Sequence, residues 1–508
     1  MKERVSMPVK AATGLLVSAI AGCGGGGGSG YMAPMAPPAA PAPTASFSQP
    51  AAGDSINLGQ AVSVAWTSAN ATSCTGKTSS AAGGAFSGNQ SMSGTQTVVP
   101  TAAGSYTYTL SCTGSGGTMS ATASVMVNPN LLSTLTPTGA ITTVGSTVDP
   151  INGDLNPYGL VIAPATAGLI TKGDLVVCNF NNAANNATMP PSGNVQGAGT
   201  TIIGLHPAAG STPYRIAQSA DLQGCNALTM LPDDSISAAA WATAQNALGE
   251  NPLVSAKGVV ASPFAGDTFA GPWGEAYVAA TATQPAAIYI SNAPGGPTTS
   301  GGTIDRISLS GDTQMSFTEI VTGICSGGVP GAIFGPAGLT YDPASDTLYV
   351  VNTSASSVIA IAGVSNIGKD GVVVNGQCTA SATSTPVPTF SGPSMASARV
   401  IAHGAPLNAP LSAALLKNGD LVVGNADIGL TTPSATTNLL IEISPVVPGG
   451  FVGQPLQVDT GAPGALFGIA ATVDASGNQI IYFNDDNAPA VMQLGPVAAS
   501  TTPPSPGY

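Results

Sequence analysis

This chain of 508 residues is poor in charge, in aromatic residues and in histidine. Only 7% of its residues are charged, 5% are aromatic, and His206 and His403 are the two histidines. Because 43% of the residues are hydrophobic, the low charge does not indicate disorder, which goes with high charge and low hydrophobicity. The formal net charge is −13, so the protein should repel nucleic acid, and we predict no nucleic-acid partner.

The scarcity of histidine also restricts the catalytic and metal-binding chemistry. No G-x-S-x-G segment is present, and both histidines precede a residue typical of loops, so a nucleophilic triad is disfavoured. No Cys-x-x-Cys motif or His/Cys cluster indicates zinc. Two acidic pairs, Asp233-Asp234 and Asp485-Asp486, offer oxygen ligands for Ca²⁺, but they lack the spacing of a self-contained calcium loop. We interpret them as solvated loop acids, and Asp485 and Asp486 stay the metal candidates.

The first 22 residues have the pattern of an export signal. Lys2, Arg4 and Lys10 precede an apolar run that is about half the length needed to cross a bilayer, and small residues follow it. The ending "IAGC" resembles the lipobox of bacterial lipoproteins. That resemblance implies cleavage before Cys23, acylation of Cys23 with palmitate, and, since Gly24 is not aspartate, anchoring in the outer membrane. An ordinary secretory signal is the alternative. Residues 23–44 are rich in Gly, Pro and Ala and are predicted to be a tether.

Six cysteines remain once Cys23 is set aside. An even number of cysteines in an exported chain indicates disulfides. The simplest arrangement joins neighbours in sequence, because each bridge then lies within one domain or between adjacent sheets. The predicted pairs are Cys74–Cys112, Cys178–Cys225 and Cys325–Cys378.

Residues 45–128 are predicted to form a small β-sandwich. Apolar and polar residues alternate, so that one strand face carries Val62, Val64 and Trp66, and a later one carries Tyr106, Tyr108 and Leu110. The segments "SVAWTSANATSC" and "YTLSCTGSGG" resemble an Ig-like module of bacterial surface proteins. Cys74 follows Trp66 in the chain, so a Cys74–Cys112 bridge would not be the pin between sheets that antibody domains have. We interpret this module as a spacer.

Residues 135–508 contain a repeated strand pattern. Five segments align without gaps, "LVVCN", "IYISN", "LYVVN", "LVVGN" and "IIYFN", and they end at Asn179, Asn292, Asn352, Asn425 and Asn484. Each belongs to a unit of about four strands, and such units close into a β-propeller. The wide gap after Asn179 suggests a further, weaker repeat ending at Asn246. We therefore favour six blades, with five as the alternative.

The segment "GPAGLTYDPASDTLYVVNTSASSVIAI" resembles the repeat of NHL and SMP-30-like propellers. The resemblance implies the fold, and it raises a metal-assisted lactonase as one activity. Such a site would need acids and amides at one channel mouth, and this chain offers Glu275, Asn352, Asn425 and Asp427 for it. The repeated asparagines are otherwise explained structurally, because an asparagine amide readily bonds the backbone of a neighbouring turn.

These observations predict an all-β protein, an Ig-like sandwich followed by a β-propeller, that is lipid-anchored at the cell envelope. Its predicted role is non-catalytic binding or scaffolding without a cofactor, and its partner would be a protein or a glycan. A Ca²⁺-dependent hydrolase of lactones is the alternative. A quinone-type sugar dehydrogenase is a third possibility, but it would normally need a catalytic histidine and several cations in the channel.

Overall fold

The computed structural model describes residues 38–135, 141–183, 195–241, 248–261, 264, 269–311, 313–376, 378, 386–447 and 449–496. Cys23, the predicted signal peptide, most of the predicted tether and Asn246 lie outside the described residues. Within these ranges nearly every regular element is a strand, so the predicted all-β class is confirmed. None of the helices in these ranges is long and apolar enough to be a membrane span.

The first part of the chain folds into two sheets that face each other. The sheet orders are β1-β3-β6 and β2-β8-β7-β4-β5, and β2 pairs with β8 in parallel whereas the other neighbours are antiparallel. The strands are β1 (Thr44–Gln49), β2 (Ser55–Asn57), β3 (Val62–Ala69), β4 (Ser73–Thr78), β5 (Gly88–Gln90), β6 (Ser93–Val98), β7 (Gly104–Gly114) and β8 (Gly117–Asn128).

Alternation of apolar and polar residues places the core of this sandwich. Alternate residues in the middle of β3 and β7 are buried, including the two predicted faces, and all six of those residues join one hydrophobic cluster. Phe86 lies in this cluster and contacts Trp66 and Tyr108 edge to face. Large aromatic side chains bury much apolar surface, which stabilises a module of this small size.

A short helix, α1 (Leu131–Leu135), follows the sandwich and contacts the second part of the chain. The buried Glu442 carboxylate accepts hydrogen bonds from the backbone nitrogens of Leu131 and Leu132, at 3.0 and 2.7 Å. Because these N–H groups have no partner within the helix, the carboxylate satisfies them and attaches the helix to its neighbour.

Six further sheets follow in chain order. Their strands are β9 (Thr142–Ser146), β10 (Leu155–Ile162), β11 (Leu175–Asn181), β12 (Thr201–Leu205), β13 (Tyr214–Gln218), β14 (Cys225–Met230), β15 (Ile236–Ala240), β16 (Leu253–Val254), β17 (Val260–Ala261), β18 (Pro272–Val278), β19 (Ala286–Asn292), β20 (Gly296–Ser310), β21 (Thr313–Gly328), β22 (Pro336–Asp342), β23 (Thr347–Asn352), β24 (Ser357–Ala362), β25 (Val372–Asn375), β26 (Thr389–Ser391), β27 (Ala398–His403), β28 (Pro410–Leu415), β29 (Leu421–Asn425), β30 (Leu439–Ile443), β31 (Leu456–Gln457), β32 (Leu466–Val473), β33 (Gln479–Asp485) and β34 (Ala490–Leu494). Short 3₁₀ helices are Ala81–Gly83, Ala220–Leu222, Thr353–Ala355, Val364–Asn366 and Met395–Ser397.

Each of these sheets is built from strands that are consecutive or nearly consecutive in the chain. The first, second and fifth sheets are β10 to β13, β14 to β17 and β28 to β31. The third contains β18 to β21 with β25 and β26 added at its edge, and the fourth contains β22, β23, β24 and β27. The sixth is β32-β33-β34-β9, so a strand that precedes the first sheet completes the last one.

The six sheets close into a ring, which is the arrangement of a β-propeller. The first strand of each sheet packs against the first strand of the next, in the order β10, β14, β18, β22, β28, β32, and β32 packs against β10. Side-chain hydrogen bonds follow the same path. Thr353 donates to the carbonyl oxygen of Pro410 at 2.7 Å, and Asn484 closes the ring by donating to that of Tyr158 at 3.0 Å. The second sheet occupies the gap between Asn179 and Asn292, where a further repeat was expected.

Small residues in the first strands allow this close approach. A Cβ atom on Gly274 would collide with the carbonyl oxygen of Ala337 in the next sheet, and one on Gly468 would lie 2.5 Å from that of Tyr158. Backbone atoms cannot move aside without disturbing the sheet. The Gly-rich starts of the repeats therefore reflect packing around the central channel.

The three predicted cysteine pairs lie at disulfide distance. Cys74 and Cys112 face each other on the neighbouring strands β4 and β7, so this bridge lies within one sheet, as the order of Trp66 and Cys74 indicated. Cys178–Cys225 joins the first sheet to the second, and Cys325–Cys378 joins β21 to the segment after β25. The bridges between sequence neighbours therefore connect adjacent elements.

Candidate functional site

Successive residues of the six first strands surround the central channel, three from each strand except β22, which contributes two. The middle position is always small, and the six residues there, which we name the neck, are Gly159, Ala227, Gly274, Gly338, Ser412 and Gly468. The following position is occupied by Leu160, Leu228, Glu275, Leu339, Ala413 and Ile469. The cavity among these residues is only about 70 Å³, which is room for a few water molecules.

Glu275 is the one charged residue among the seventeen residues that line this cavity. Its Oε1 accepts a hydrogen bond from Ser237 at 3.0 Å, whereas Oε2 has no partner among the described residues. Burial raises the pKa of Glu275 to about 8, against the opposite effect of hydrogen bonds from Ser237 and Asn251. The carboxyl group is therefore predominantly neutral at pH 7.

A wider pocket opens above the neck, at the end where the first strands begin. We name it the mouth pocket; its volume is about 190 Å³. Its floor is formed by Tyr158, Trp273, Leu411 and Phe467, which also bound the narrow channel below. The wall comes from loops that follow the second strands of the fifth and sixth sheets, including Asp427 and Asp486, and from Asn156 and Gln196.

The aromatic floor is tightly packed. Tyr158 stacks between Phe180 and Phe467, with ring centroids 4.3 and 3.9 Å away, and Trp273 meets Tyr158 edge to face. Phe467 is only half-buried, so part of its ring faces the pocket. Such a surface offers flat apolar contact area at little cost in side-chain entropy.

The polar groups of the wall differ in how far their hydrogen-bonding capacity is used. Both carboxylate oxygens of Asp427 accept hydrogen bonds, from Asn408 at 3.0 Å and from the backbone nitrogen of Asn438 at 2.7 Å. Asn156 is 2% exposed and has a left-handed backbone (φ 68°), yet its Oδ1 has no partner among the described residues. The Asn156 oxygen is closed to solvent, so it departs from the usual pairing of buried polar atoms without being open to a ligand.

Asp486 gives the pocket a titratable group. Burial, with a smaller contribution from the charge of Asp485, raises the pKa of Asp486 to about 6. Burial also raises the pKa of Tyr158, and the nearby Asp486 adds to this effect. The Tyr158 hydroxyl therefore stays protonated at any physiological pH, and the charge on Asp486 depends on pH.

The repeated asparagines are buried, and their amides contact protein groups. Asn179 donates to the carbonyl oxygen of Thr147 at 3.0 Å, and Asn425 donates to that of Pro406 at 2.9 Å. Asn352 accepts from the Ser354 hydroxyl at 2.7 Å, and Asn292 accepts from the backbone nitrogen of Ala270 at 3.3 Å. These contacts are of the structural kind that the sequence suggested. The structural role, which the sequence favoured over ligand binding, stays a prediction.

The strand register shows which residue of the second sheet stands at the position of the repeated asparagines. Asn179, Asn292, Asn352 and Asn425 each pair with a proline at the start of the preceding strand. In the second sheet the corresponding pair is Cys225 and Ala240, and strand β15 ends there. The alignment that placed this strand end at Asn246 is therefore wrong by several residues.

The four residues proposed for a lactonase site are not brought to one place. Glu275 lines the narrow channel, Asp427 lines the mouth pocket, and Asn352 and Asn425 line neither. Asp485 is buried, and its Oδ1 accepts from the backbone nitrogen of Ala488 at 3.3 Å. Among the described residues, no group of three or more His, Cys, Asp or Glu side chains could hold a metal ion.

The remaining sequence candidates lie away from the mouth pocket. Both oxygens of Asp233 accept from Ser235, at 3.0 and 2.9 Å. His206 is exposed, and its Nδ1 lies 2.6 Å from the buried Asp174 carboxylate. His403 lines a surface groove of about 820 Å³ beside the fourth and fifth sheets.

Sequence reasoning did not find Asn156, Gln196 or Phe467. Tyr158, Trp273 and Phe467 stand at the same position of three aligned strand starts, directly before the neck glycine. That aromatic-Gly pair was visible in "NPYGL", "GPWGE" and "ALFGI". It would have indicated an aromatic layer at one end of the channel.

Comparison with known proteins gives only distant similarity. A scan against protein-family models and a search of curated proteins found no match. Among solved structures, a catalytically inactive variant of virginiamycin B lyase from Staphylococcus aureus with quinupristin is 13% identical, with a TM-score of 0.37, and the match covers 71% of this chain and 100% of the lyase. An auxiliary nutrient binding protein from Bacteroides ovatus is 10% identical, with a TM-score of 0.40, over 90% of this chain and 99% of that protein. Similarities this low transfer no activity to this chain.

Proposed function

We propose that this protein is a ligand-binding β-propeller and that its mouth pocket holds a small, neutral, polyhydroxylated molecule such as a single sugar ring. The observation that carries this proposal is an aromatic floor beneath a wall that contains an amide, Gln196, and two carboxylates, Asp427 and Asp486. Aromatic rings pack against the apolar face of a sugar, and amides and carboxylates bond its hydroxyl groups. A volume of about 190 Å³ suits one ring better than a chain of them.

We also infer that each of the six sheets is one blade and that the sandwich is an Ig-like spacer. The closed order of first strands supports the blade count. The two facing sheets of β1 to β8 support the spacer, because a sandwich of this kind holds a larger domain away from its attachment point.

For the cell envelope, the support comes from the sequence. The leader of residues 1–22 and the "IAGC" box favour export and lipid anchoring through Cys23 in the outer membrane. Three cysteine pairs at disulfide distance favour an oxidising compartment. The partner within the envelope would then be a glycan or a sugar released from one.

The calcium-dependent hydrolase is less well supported. Asp427 already accepts two hydrogen bonds from protein groups, and Glu275 lies below the aromatic floor. A catalytic metal would need several oxygen ligands at one point with an open position for substrate. The mouth pocket offers two acids with different surroundings, so binding without catalysis fits it better.

Tryptophan fluorescence of the full chain tests this function. The chain has three tryptophans, and Trp273 lines the pocket. Titration with glucose, galactose and N-acetylglucosamine should give a saturable change for at least one sugar, confirmed by calorimetry. Phe467→Ala should weaken that binding about tenfold, because it removes the exposed part of the floor.

Phe317→Ala is the matched control, because Phe317 is also half-buried but packs against Phe269 outside the mouth pocket. It should leave the affinity unchanged. Absence of saturable binding for all three sugars, or an equal loss in both variants, would contradict the proposal.

A further inference from the structure

A surface groove adjoins the mouth pocket at the same end of the propeller. We name it the side groove. It is bounded by residues 403–408, between β27 and β28, and by residues between 430 and 439, which connect β29 to β30. Strand β28 begins here and β29 ends here, so the groove lies at the end where the first strands begin. Its volume of about 820 Å³ lies within the range of roughly 300 to 1,000 Å³ that is typical of small-molecule sites.

The side groove is lined mainly by aliphatic side chains that are open to water. Ala405, Leu430 and Ala435 are exposed, and Pro406 is half-buried. None of the described residues that line the groove is a lysine, an arginine, an aspartate or a glutamate. An apolar occupant is favoured on such a surface, because covering the aliphatic side chains removes them from water. The groove therefore suits an apolar group without charge.

The side groove and the mouth pocket meet at Leu430. This side chain is 46% exposed and lines both spaces. Its backbone nitrogen donates to the carbonyl oxygen of Asp427 at 3.0 Å, so the two residues close a turn. Asp427 lines the mouth pocket, Asn408 lines the side groove, and the Asn408 amide donates to Asp427 Oδ1 at 3.0 Å. These side chains form a ridge between the two spaces, and one ligand can lie across it.

Hydrogen bonds to the neighbouring strands fix this ridge. Asp427 Oδ2 accepts from the backbone nitrogen of Asn438 at 2.7 Å, and Asn438 directly precedes β30. Asn425, the last residue of β29, accepts from the backbone nitrogen of Asn408 at 3.0 Å. Both sides of the ridge are therefore attached to the fifth sheet. A surface that is already ordered binds a ligand at little further cost in entropy.

The two spaces differ in polarity, and this difference narrows the class of ligand. The mouth pocket combines an aromatic floor with Gln196, Asp427 and Asp486 in its wall, which suits a hydroxylated ring. The side groove combines aliphatic side chains with an absence of acidic and basic residues other than His403 among those described. A molecule that satisfies both spaces has a hydroxylated part joined directly to an apolar part.

We propose that the ligand is a glycoside with an apolar aglycone, whose sugar ring lies in the mouth pocket and whose aglycone crosses Leu430 into the side groove. This inference rests on the proposed sugar binding and names the substituent that the sugar carries. A free sugar fills only the mouth pocket, so it should bind more weakly than a glycoside that also covers the aliphatic side chains of the groove.

Calorimetric titration of the full chain with methyl and hexyl β-glycosides of glucose, galactose and N-acetylglucosamine tests the proposal. For a sugar that binds, the hexyl glycoside should bind about tenfold or more tightly than the methyl glycoside. The hexyl chain is longer by five CH₂ groups, and each CH₂ group that is fully buried contributes about fourfold in affinity. The free sugar should compete with the hexyl glycoside, because both place the ring in the mouth pocket.

A charge placed in the side groove alone should affect only the longer ligand. Ala435 lines the side groove and not the mouth pocket, so Ala435→Asp should reduce the affinity for the hexyl glycoside about fivefold or more and leave that for the methyl glycoside unchanged. Ala344→Asp is the matched control, because Ala344 is also an exposed alanine in a turn but lies between β22 and β23, at the opposite end of the propeller. It should change neither affinity.

The outcomes separate this inference from the proposal of sugar binding. Equal affinity for the methyl and hexyl glycosides would overturn the inference and leave sugar binding in place. A hexyl glycoside that binds without competition from the free sugar would show that the alkyl chain binds alone, which also overturns it. If no sugar, methyl glycoside or hexyl glycoside binds, both proposals are wrong. An equal loss in Ala435→Asp and Ala344→Asp would place the chain outside the side groove. Circular dichroism of each variant separates a lost site from a lost fold.

Discussion

The mouth pocket and the narrow channel beneath it are adjacent, yet they differ in how far an acidic side chain has its pKa raised and in whether a ligand could reach it. Asp486 in the mouth pocket has a pKa of about 6, and Glu275 in the channel has a pKa of about 8, both raised by burial. Asp486 lines a pocket of about 190 Å³ that can admit a ligand, whereas Glu275 lines a cavity of about 70 Å³ that cannot. A perturbed pKa therefore marks burial in both places but a candidate binding site in only one.

The aromatic floor makes this difference. Tyr158, Trp273 and Phe467 form the boundary between the two spaces, and the small neck residues hold the channel walls together below them. Glu275 takes a position where three other sheets have leucine, so its environment is that of a core residue. The narrow channel therefore has a structural role, and the polar groups open to a ligand lie at its mouth.

The largest expected effect concerns the pH dependence that Glu275 imposes. Its folded pKa exceeds its unfolded value, so the folded state binds more protons, and stability falls as pH rises from about 4.5 to about 8. The slope should approach about 1.4 kcal/mol per pH unit. Glu275→Gln should remove it, so the variant gains stability relative to the parent toward pH 8, as measured by urea unfolding across this range.

Glu319→Gln serves as a control, because Glu319 lies outside both spaces and its pKa is raised by burial with a smaller effect of Asp370. Between pH 6 and 8 the fall in stability should be smaller in Glu275→Gln than in the parent and close to that of the parent in Glu319→Gln, and Asp420, whose pKa burial raises to about 7, keeps part of the fall in both variants. A parent protein whose stability does not fall in this range would show that Glu275 is solvated.

A second prediction concerns the neck. Gly274→Ala should destabilise the protein by about 1 to 3 kcal/mol, because its new methyl group would collide with the carbonyl oxygen of Ala337 in the next sheet. Gly368→Ala should have little effect, since nothing lies within 4 Å of the added Cβ and its backbone is not left-handed. Thermal and urea unfolding of both variants provide the measurement. Equal stability of the two would mean that the neck is not closely packed.

The smallest effect is expected at Asp486. Its raised pKa makes stability fall as pH rises from about 4 to about 6, and Asp486→Asn should flatten that fall. The change should stay near or below about 1 kcal/mol, because a half-buried carboxylate is partly screened by water. Urea unfolding at intervals of half a pH unit would detect it.

Asp474→Asn should change the pH dependence of stability in the direction opposite to that of Asp486→Asn. Hydrogen bonds from Asn478 hold the pKa of Asp474 below its usual value, so its contribution is present above that value and is lost as pH falls. The Asp474→Asn variant should therefore be less stable than the parent above pH 4. If Asp486→Asn and Asp474→Asn both lost stability above pH 4, Asp486 would not be desolvated by its pocket.

Much of the fold could be predicted because its signals are local. Alternation identified β3 and β7, and the repeated strand ending in asparagine identified the second strand in five of the six sheets. The second sheet was found only approximately, because Ala240 stands where asparagine was expected and so the repeat loses its most visible residue. The cysteine pairs were correct because neighbours in sequence lie in adjacent strands or sheets.

The candidate sites could not be predicted in the same way. Glu275 and Asp427 were offered for one channel mouth because they are an acid pair in the propeller sequence, but Glu275 follows the neck residue Gly274 and lines the narrow channel, whereas Asp427 lines the mouth pocket.

By itself, the sequence determined the strands, the repeated unit, the cysteine pairs and the aromatic-Gly starts, because periodicity and small residues act over a few neighbouring positions. Only the tertiary structure decided which of these residues meet. Closure of the ring brings Tyr158 into contact with residues more than 300 positions later, and it sets how deeply each acid is buried. Depth and contact across the ring are properties of the closed propeller, and they decide which polar groups remain available to a ligand.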